Sequence, residues 1–192
     1  MHDMARLLDA LRFSARKHRD QRRKDREASP YINHAIEVAE VLAVAGGVTD
    51  VTTLVAAVLH DTLEDTDTTP QELEQKFGRE VRLLVEEMTD DKKLPKETRK
   101  QLQIEHAAAA SHRAKLIKLA DKICNVRDIS HAPPAGWTLP RRIEYLDWTQ
   151  KVVDRCRGAS ADLERKYDKV LAESRDALLP VRAERREEGR EP

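Results

Sequence analysis

The stretch Val51-Thr-Thr-Leu-Val-Ala-Ala-Val-Leu-His-Asp-Thr-Leu-Glu-Asp65 is an apolar segment that ends abruptly in one imidazole and three carboxylates. Thr49 or Asp50 can cap a helix that begins at Val51 and continues to about Asp61. A helix that is apolar nearly all round belongs in the interior of a domain. The stretch therefore predicts a central buried helix with a polar, chemically reactive end.

Apolar residues recur at helical spacing on both sides of this segment, and sustained strand alternation is scarce. Gly46-Gly47 and Pro70 supply a helix stop and a helix start. The other predicted helices are Met4 to about His18, Ile36–Ala45, Pro70 to about Phe77, Arg79–Met88, about Thr98–His112, Arg113–Ile129, Leu139–Cys156 and Ala159–Leu178. We therefore predict an all-α protein.

The length of 192 residues suits one domain, which we place at residues 1–180. Residues 181–192 are rich in charge and poor in aliphatic side chains, which predicts a disordered tail. With 35 basic and 35 acidic residues, the chain has no overall charge that would favour nucleic acid or a membrane surface. It shows no secretory signal and no apolar run of bilayer length, and its two cysteines do not form a metal motif, so we expect a cytoplasmic protein with free thiols. The sequence predicts no oligomeric state.

The chemistry of the buried helix end is read from His60 and Asp61 together with two distant residues. His34 follows Pro30-Tyr-Ile-Asn, near the start of the second helix, and Asp121 lies mid-helix among apolar neighbours. Imidazole nitrogen and carboxylate oxygen are suitable ligands for Mn²⁺, Fe²⁺ or Zn²⁺. Each residue alone has an ordinary explanation: His34 can be a capping residue, and Asp121 can pair with a neighbouring lysine. The four together predict a metal site.

The order His34, His60-Asp61, Asp121 resembles the HD superfamily of metal-dependent phosphohydrolases. The longer strings Tyr31-Ile-Asn-His34, His60-Asp-Thr-Leu-Glu-Asp65 and Lys118-Leu-Ala-Asp-Lys-Ile-Cys-Asn-Val-Arg-Asp128 are similar to its (p)ppGpp hydrolase branch. The small single-domain members, of the metazoan SpoT homologue type, are the best match. Further similar strings extend the resemblance over about residues 4–170.

This resemblance implies roles for individual residues. His34, His60, Asp61 and Asp121 would hold one Mn²⁺ ion, and Glu64 and Asp65 would orient and deprotonate the attacking water. The implied substrate is a guanosine alarmone, hydrolysed to GDP or GTP and pyrophosphate. The implied substrate-binding residues are Arg23 by stacking on guanine, Lys24 near phosphate, Asn125 by a hydrogen bond, and Lys96, Arg141 and Tyr145 as contacts to phosphate or ribose.

One residue departs from the long bifunctional relatives, which tend to carry Thr where this chain has Asp128. The chain also leaves no room after the hydrolase for a synthetase domain, so we expect hydrolysis without synthesis. Other functions remain open: the same site could serve an NADPH 2′-phosphatase or another nucleotide phosphohydrolase, or a noncatalytic nucleotide sensor. A helical interaction protein would explain the composition but not the polar end of a buried helix.

Asp65-Thr-Asp-Thr-Thr69 also fits the D-x-D-x-T pattern of haloacid dehalogenase phosphatases. That chemistry requires the first aspartate at the end of a strand in an α/β sheet, whereas helical spacing surrounds this one. The same string lacks the glycine and the length of an EF-hand. Both alternatives are disfavoured.

The zero net charge divides unevenly along the chain. Residues 12–27 hold 8 basic and 3 acidic residues, residues 60–91 hold 3 and 11, and residues 92–127 hold 10 and 3. The acidic segment contains most of the candidate metal and catalytic carboxylates, and the basic segments contain Arg23, Lys24 and Lys96. This partition fits a site for a cation and a small phosphate-rich ligand.

Overall fold

The computed structural model describes residues 2–179, which form an all-α domain; the predicted tail at 181–192 lies outside the described residues. The helices are α1 (Asp3–Lys17), α2 (Ile32–Glu40), α3 (Val51–Leu59), α4 (Thr62–Asp65), α5 (Pro70–Phe77), α6 (Arg79–Met88), α7 (Lys96–Ala109), α8 (His112–His131), α9 (Leu139–Asp154) and α10 (Ala161–Leu178). An isolated bridge between Arg22 and Pro30 is the β-pairing seen within this range. The predicted fold class is confirmed.

Helix α3 is the centre of the domain, as its sequence predicts. Every residue from Thr53 to Leu59 is buried, and α1, α2, α6 and α8 pack around the helix. Full burial of a Val or Leu side chain contributes about 1.5–3 kcal/mol, so this helix is a major source of the domain's stability. Asp50 accepts a hydrogen bond from the Thr53 amide at 3.2 Å and caps the helix start.

Helix α8 is the second buried element and runs beside α10, α9 and α2. Twelve of its 20 residues are buried, and Asp121 and Lys122 are among them. Ser111 caps the helix by accepting a hydrogen bond from the Ala114 amide. The buried faces of α3 and α8 bring the candidate metal ligands of both helices into the same core.

Some helix boundaries differ from the prediction. Helix α3 ends at Leu59 rather than Asp61. Side chains there bond the last carbonyls of the helix: the His60 ring donates to the Ala57 carbonyl, and the Thr62 hydroxyl donates to the Leu59 carbonyl. The short helix α4 that follows was not predicted. Helix α2 begins at Ile32, earlier than expected, and the chain from Val41 to Ala45 is a π-helical turn rather than regular α-helix.

No helix within residues 2–179 has both the length and the apolar character needed to cross a bilayer. Cys124 and Cys156 are both buried and are not disulfide-bonded. The assignment of residues 1–180 to one functional domain stays a prediction.

Candidate functional site

Three of the four predicted metal ligands meet in the core. His34 comes from α2, His60 follows α3, and Asp121 comes from α8; each is at most 7% exposed. One ligand atom from each lies within 4.8 Å of the others. Asp121 Oδ1 is 3.1 Å from His34 Nε2 and 3.8 Å from His60 Nε2. Residues separated by up to 87 positions thus form one compact cluster of nitrogen and oxygen donors.

Asp61, the fourth predicted ligand, adjoins the cluster through His60. Its Oδ2 atom is 2.9 Å from His60 Nε2, and the Tyr31 hydroxyl donates a hydrogen bond to the same oxygen. Burial opposes the charged form of Asp61, but the His60 imidazole holds the pKa of this carboxyl well below its usual range. Tyr31 is a contact that the sequence analysis did not assign.

The donor set fits a divalent cation. The His60 Nδ1–H group donates to the Ala57 carbonyl at 2.8 Å, which directs Nε2 toward the carboxylates. His60 Nε2 is buried, and although Asp61 Oδ2 lies 2.9 Å away, their relative orientation makes no hydrogen bond, so this nitrogen has no hydrogen-bond partner among the described residues. Burial opposes protonation, yet Asp61 and Asp121 raise the pKa of His60 to about 9. The two carboxylates thus favour positive charge at this buried nitrogen, and such a place suits a bound metal ion.

Both oxygens of Asp121 are fixed by neighbouring side chains. Asn125 Nδ2 donates to Oδ1 at 2.6 Å, and Lys122 Nζ donates to Oδ2 at 2.9 Å. Lys122 also lies over the Trp148 ring, 4.8 Å from its centroid. Lys122 and Trp148 are positioning contacts that the sequence analysis did not assign, although it considered a pair between Asp121 and Lys122 as an alternative to metal binding. In the structure Asp121 pairs with Lys122 and also lies close to His34 and His60.

A second group of potential ligand atoms, from His34, Glu37 and Asp128, lies close by. Its carboxylates are already paired, because Arg127 donates to Glu37 at 2.7 Å and Arg23 donates to Asp128 at 2.6 Å. Guanidinium groups in this position disfavour a cation. The His34, His60 and Asp121 cluster is the better candidate metal site.

The predicted catalytic carboxylates occupy α4 and have different surroundings. Glu64 accepts a hydrogen bond from the Asp90 amide at 3.1 Å and lies 3.7 Å from Arg99. Burial raises the pKa of Glu64. Asp65 accepts a hydrogen bond from Gln21 Nε2 at 2.8 Å and pairs with Lys92.

A cleft of about 490 Å³ opens beside the candidate metal ligands His34, His60 and Asp121. All six predicted substrate-binding residues line it: Arg23, Lys24, Lys96, Asn125, Arg141 and Tyr145. Asp65 lines it as well, whereas Glu64 and the four predicted metal ligands are not among the lining residues. Asn125 connects the cleft to the metal cluster because it bonds Asp121.

The cleft is lined by basic and aromatic side chains. Arg23 donates to Asp128 at 2.6 Å and to Asn125 Oδ1 at 3.3 Å, and it lies over the Tyr31 ring. A planar guanidinium held in this way can stack on a base. Arg141 lies over the Trp137 ring, 4.4 Å from its centroid. The cationic residues that line the whole cleft are Arg22, Arg23, Lys24, Lys96, Arg99, Lys100 and Arg141.

Comparison with known proteins extends over most of the chain. A family model described as HD domain matches residues 10–144. The Xenopus tropicalis protein named guanosine-3′,5′-bis(diphosphate) 3′-pyrophosphohydrolase MESH1 is 52% identical over 169 residues, which cover 88% of this chain and 94% of that protein. The Homo sapiens protein of the same name is 54% identical over 162 residues, which cover 84% and 90%.

A solved structure is similar to this chain in both fold and sequence. It is described as a metazoan ortholog of SpoT that hydrolyzes ppGpp and plays a role in starvation responses. Its TM-score to this chain is 0.85 at 50% sequence identity, with coverage of 88% of this chain and 95% of that one. The helical arrangement described above is therefore shared with a solved hydrolase structure over nearly its whole length.

Proposed function

The chain belongs to the HD-domain family, and from that premise we propose that it is a metal-dependent hydrolase that removes the 3′-pyrophosphate from guanosine alarmones. The products would be pyrophosphate and GDP from ppGpp, or GTP from pppGpp. The observation that carries this proposal is the His34, His60 and Asp121 cluster, which adjoins a cleft lined by arginine, lysine and aromatic side chains. The names of relatives matched over at least 90% of their length support the substrate.

His34, His60, Asp61 and Asp121 would hold the metal ion, which we propose to be Mn²⁺. When bound, such an ion lowers the pKa of a water molecule and polarises a phosphoryl oxygen. The orientation of His60 by the Ala57 carbonyl and of Asp121 by Asn125 and Lys122 would keep the ligands in place.

The reaction needs a proton acceptor and a proton donor. The water oxygen bonds to the phosphorus attached to the ribose 3′ oxygen, the bond between that phosphorus and the 3′ oxygen breaks, and the 3′ oxygen takes a proton. Asp65, which lines the cleft, would take the proton from water. Glu64, whose pKa is raised by burial, is suited to hold a proton and return it.

The substrate would lie along the cleft with its base near Arg23 and Asn125. Lys24, Lys96, Arg141 and Tyr145 would contact its phosphates or ribose. Stacking on Arg23 and the other basic side chains that line the cleft suit a nucleotide with phosphates at two positions.

Three further features belong to the proposal. The domain would act by hydrolysis without synthesis, since the relatives matched over nearly their whole length are named as hydrolases. Two buried thiols without a disulfide suit the reducing cytoplasm. The proposed partner is a small-molecule nucleotide, and neither nucleic acid nor a membrane is required.

Purified protein tests the proposal directly. With Mn²⁺ present, ppGpp should yield GDP and pyrophosphate, and a mixture of GTP and ATP should yield no ppGpp. NADPH, the substrate of the alternative 2′-phosphatase, is assayed in parallel. A much higher kcat/KM for NADPH would overturn the alarmone assignment, and binding of ppGpp without turnover under any divalent metal would indicate a nucleotide sensor instead.

A further inference from the structure

Gln21 connects the candidate base Asp65 to a buried histidine. Gln21 Nε2 donates to Asp65 Oδ2 at 2.8 Å, and Gln21 Oε1 is 2.6 Å from His18 Nδ1. His18 is 3% exposed, and its ring lies 4.9 Å from the Tyr31 ring. Neither His18 nor Gln21 has a role that the sequence predicts.

The hydrogen-bond chemistry allows one orientation of this chain of contacts. The Asp65 carboxylate accepts but cannot donate, so the Gln21 amide must present its NH₂ group to Asp65. Its carbonyl oxygen then faces His18, which must carry a proton on Nδ1 to donate to it. Each member of the chain therefore fixes the orientation of the next.

The backbone around Gln21 is also anchored. The backbone N–H of Gln21 donates to the backbone carbonyl of His18 at 2.9 Å. The backbone N–H of His18 donates in turn to the carbonyl of Ser14, near the end of α1. The Tyr31 amide donates to the Gln21 carbonyl at 3.2 Å, which ties the segment to the start of α2. Gln21 thus reaches Asp65 from a loop segment that is tied to the end of α1 and to the start of α2.

The two oxygens of Asp65 have different partners. Gln21 occupies Oδ2, while Oδ1 contacts Lys92, whose side chain is 50% exposed on the turn between α6 and α7. Oδ1 therefore has the partner that substrate or water can replace more easily.

We propose that Gln21, held by His18, is a positioning residue that fixes Asp65 through Oδ2 and leaves Oδ1 to accept the proton from water. The inference rests on the proposed function. Loss of the Gln21 contact should misdirect the base without disturbing the candidate metal ligands or the basic residues that line the cleft.

The test uses the full chain and the variant Gln21→Leu, with ppGpp and Mn²⁺. We expect kcat to fall about 10- to 100-fold, the cost of a displaced catalytic group. KM should stay within about threefold, and calorimetric Mn²⁺ affinity should not change, because neither depends on the base. General disruption of this segment would instead raise KM, because Arg23 and Lys24 lie only two and three residues after Gln21.

A matched control comes from Gln101, which donates to Glu105 at 2.8 Å on the exposed side of α7. Gln101→Leu removes the same kind of contact and should leave kcat and KM unchanged. If Gln21→Leu does not fold, Gln21→Glu keeps the acceptor for His18 and places a carboxylate oxygen against Asp65. It should also lower kcat at constant KM.

The decisive comparison is the double variant with Asp65→Asn. If Gln21 acts through Asp65, Gln21→Leu should lower kcat by less than about twofold in the Asp65→Asn background. An equal loss of kcat in both backgrounds, or a change in KM alone, would overturn the proposal.

A crystal structure of Gln21→Leu gives a readout that needs no turnover. Its Asp65 carboxylate should leave the position it holds in the wild-type protein, and an unmoved carboxylate would also refute the inference. Absence of ppGpp hydrolysis by the wild-type protein would refute the proposed function instead.

Discussion

Lys122→Met tests whether the cluster around Asp121 depends on a buried ion pair. The side chains of Lys122 and Asp121 are 8% and 10% exposed, and their charged atoms are 2.9 Å apart. Methionine fills a similar volume, so the substitution removes the charge without opening a large cavity. Breaking a buried pair by removing one partner costs about 3–5 kcal/mol. In a domain of this size, about 2–4 °C of Tm accompanies each kcal/mol, which predicts a fall of about 6–20 °C.

The pH for this measurement follows from the pKa shifts of Lys122 and Asp121. The pKa of Lys122 is raised by Asp121 despite burial, so its stabilising effect is present below the lysine's unfolded pKa and is lost only at higher pH. The pKa of Asp121 is lowered by Lys122 despite burial, so its effect is present above the unfolded pKa of aspartate and is lost as pH falls. Both contributions are complete at pH 7.

Thermal unfolding at pH 7 in EDTA is the appropriate assay, since a bound ion would add stability of its own. Lys169→Met is the matched control, because Lys169 pairs with Glu173 at 3.8 Å with both side chains more than half exposed. That pair should contribute about 0.3–0.5 kcal/mol. If Lys122→Met lowers Tm no more than Lys169→Met does, the assignment of a stabilising buried pair is wrong.

Other predictions concern catalysis, metal binding and substrate binding. The double variant Glu64→Gln with Asp65→Asn should fold and bind Mn²⁺ yet lose turnover by about 10²–10⁴-fold; near-normal kcat would refute the proposed role of the pair. His60→Ala should lose metal and activity together, as measured by calorimetry and pyrophosphate release. Because the pKa of His60 is about 9 without metal and binding requires the neutral ring, wild-type Mn²⁺ affinity should rise with pH from 6 to 9, by at most about tenfold per unit; a flat profile would contradict this. Arg23→Ala should raise KM for ppGpp more than it lowers kcat, whereas the exposed Arg16→Ala should change neither.

The fold was largely predictable because its strongest signals are local. The central helix follows from its apolar sequence, and the start of α5 follows from Thr69-Pro70, where Thr69 accepts a hydrogen bond from the Glu72 amide. The prediction failed where a side chain or a distant contact decides the backbone. Gly46, after the π-helical turn, lies so close to the Leu42 carbonyl and to Leu163 that a Cβ atom would clash, and this packing is invisible in local spacing.

The candidate site shows the same division. The grouping of His34, His60 and Asp121 was predicted from the donor chemistry of these residues and from the family resemblance, and the structure brings the three together. The contact of Gln21 with Asp65 could not be predicted from the sequence, because a glutamine in a loop is usually solvated. For Lys122 the sequence offered a pair with Asp121 only as an alternative to metal binding, and it did not predict that the lysine is buried. Their significance comes from burial and from partners that only the tertiary structure reveals.

The candidate metal ligands His34, His60 and Asp121 lie at the carboxyl end of α3, and this position has an electrostatic consequence. The aligned peptide dipoles of a helix give this end a partial negative charge, which favours a cation by up to about 2 kcal/mol in partly buried surroundings. Asp61 and Asp121 add negative charge at the same place, and His60 and Lys122 lie against these carboxylates. The helix end and the two carboxylates would thus act together to favour a cation at the His34, His60 and Asp121 cluster.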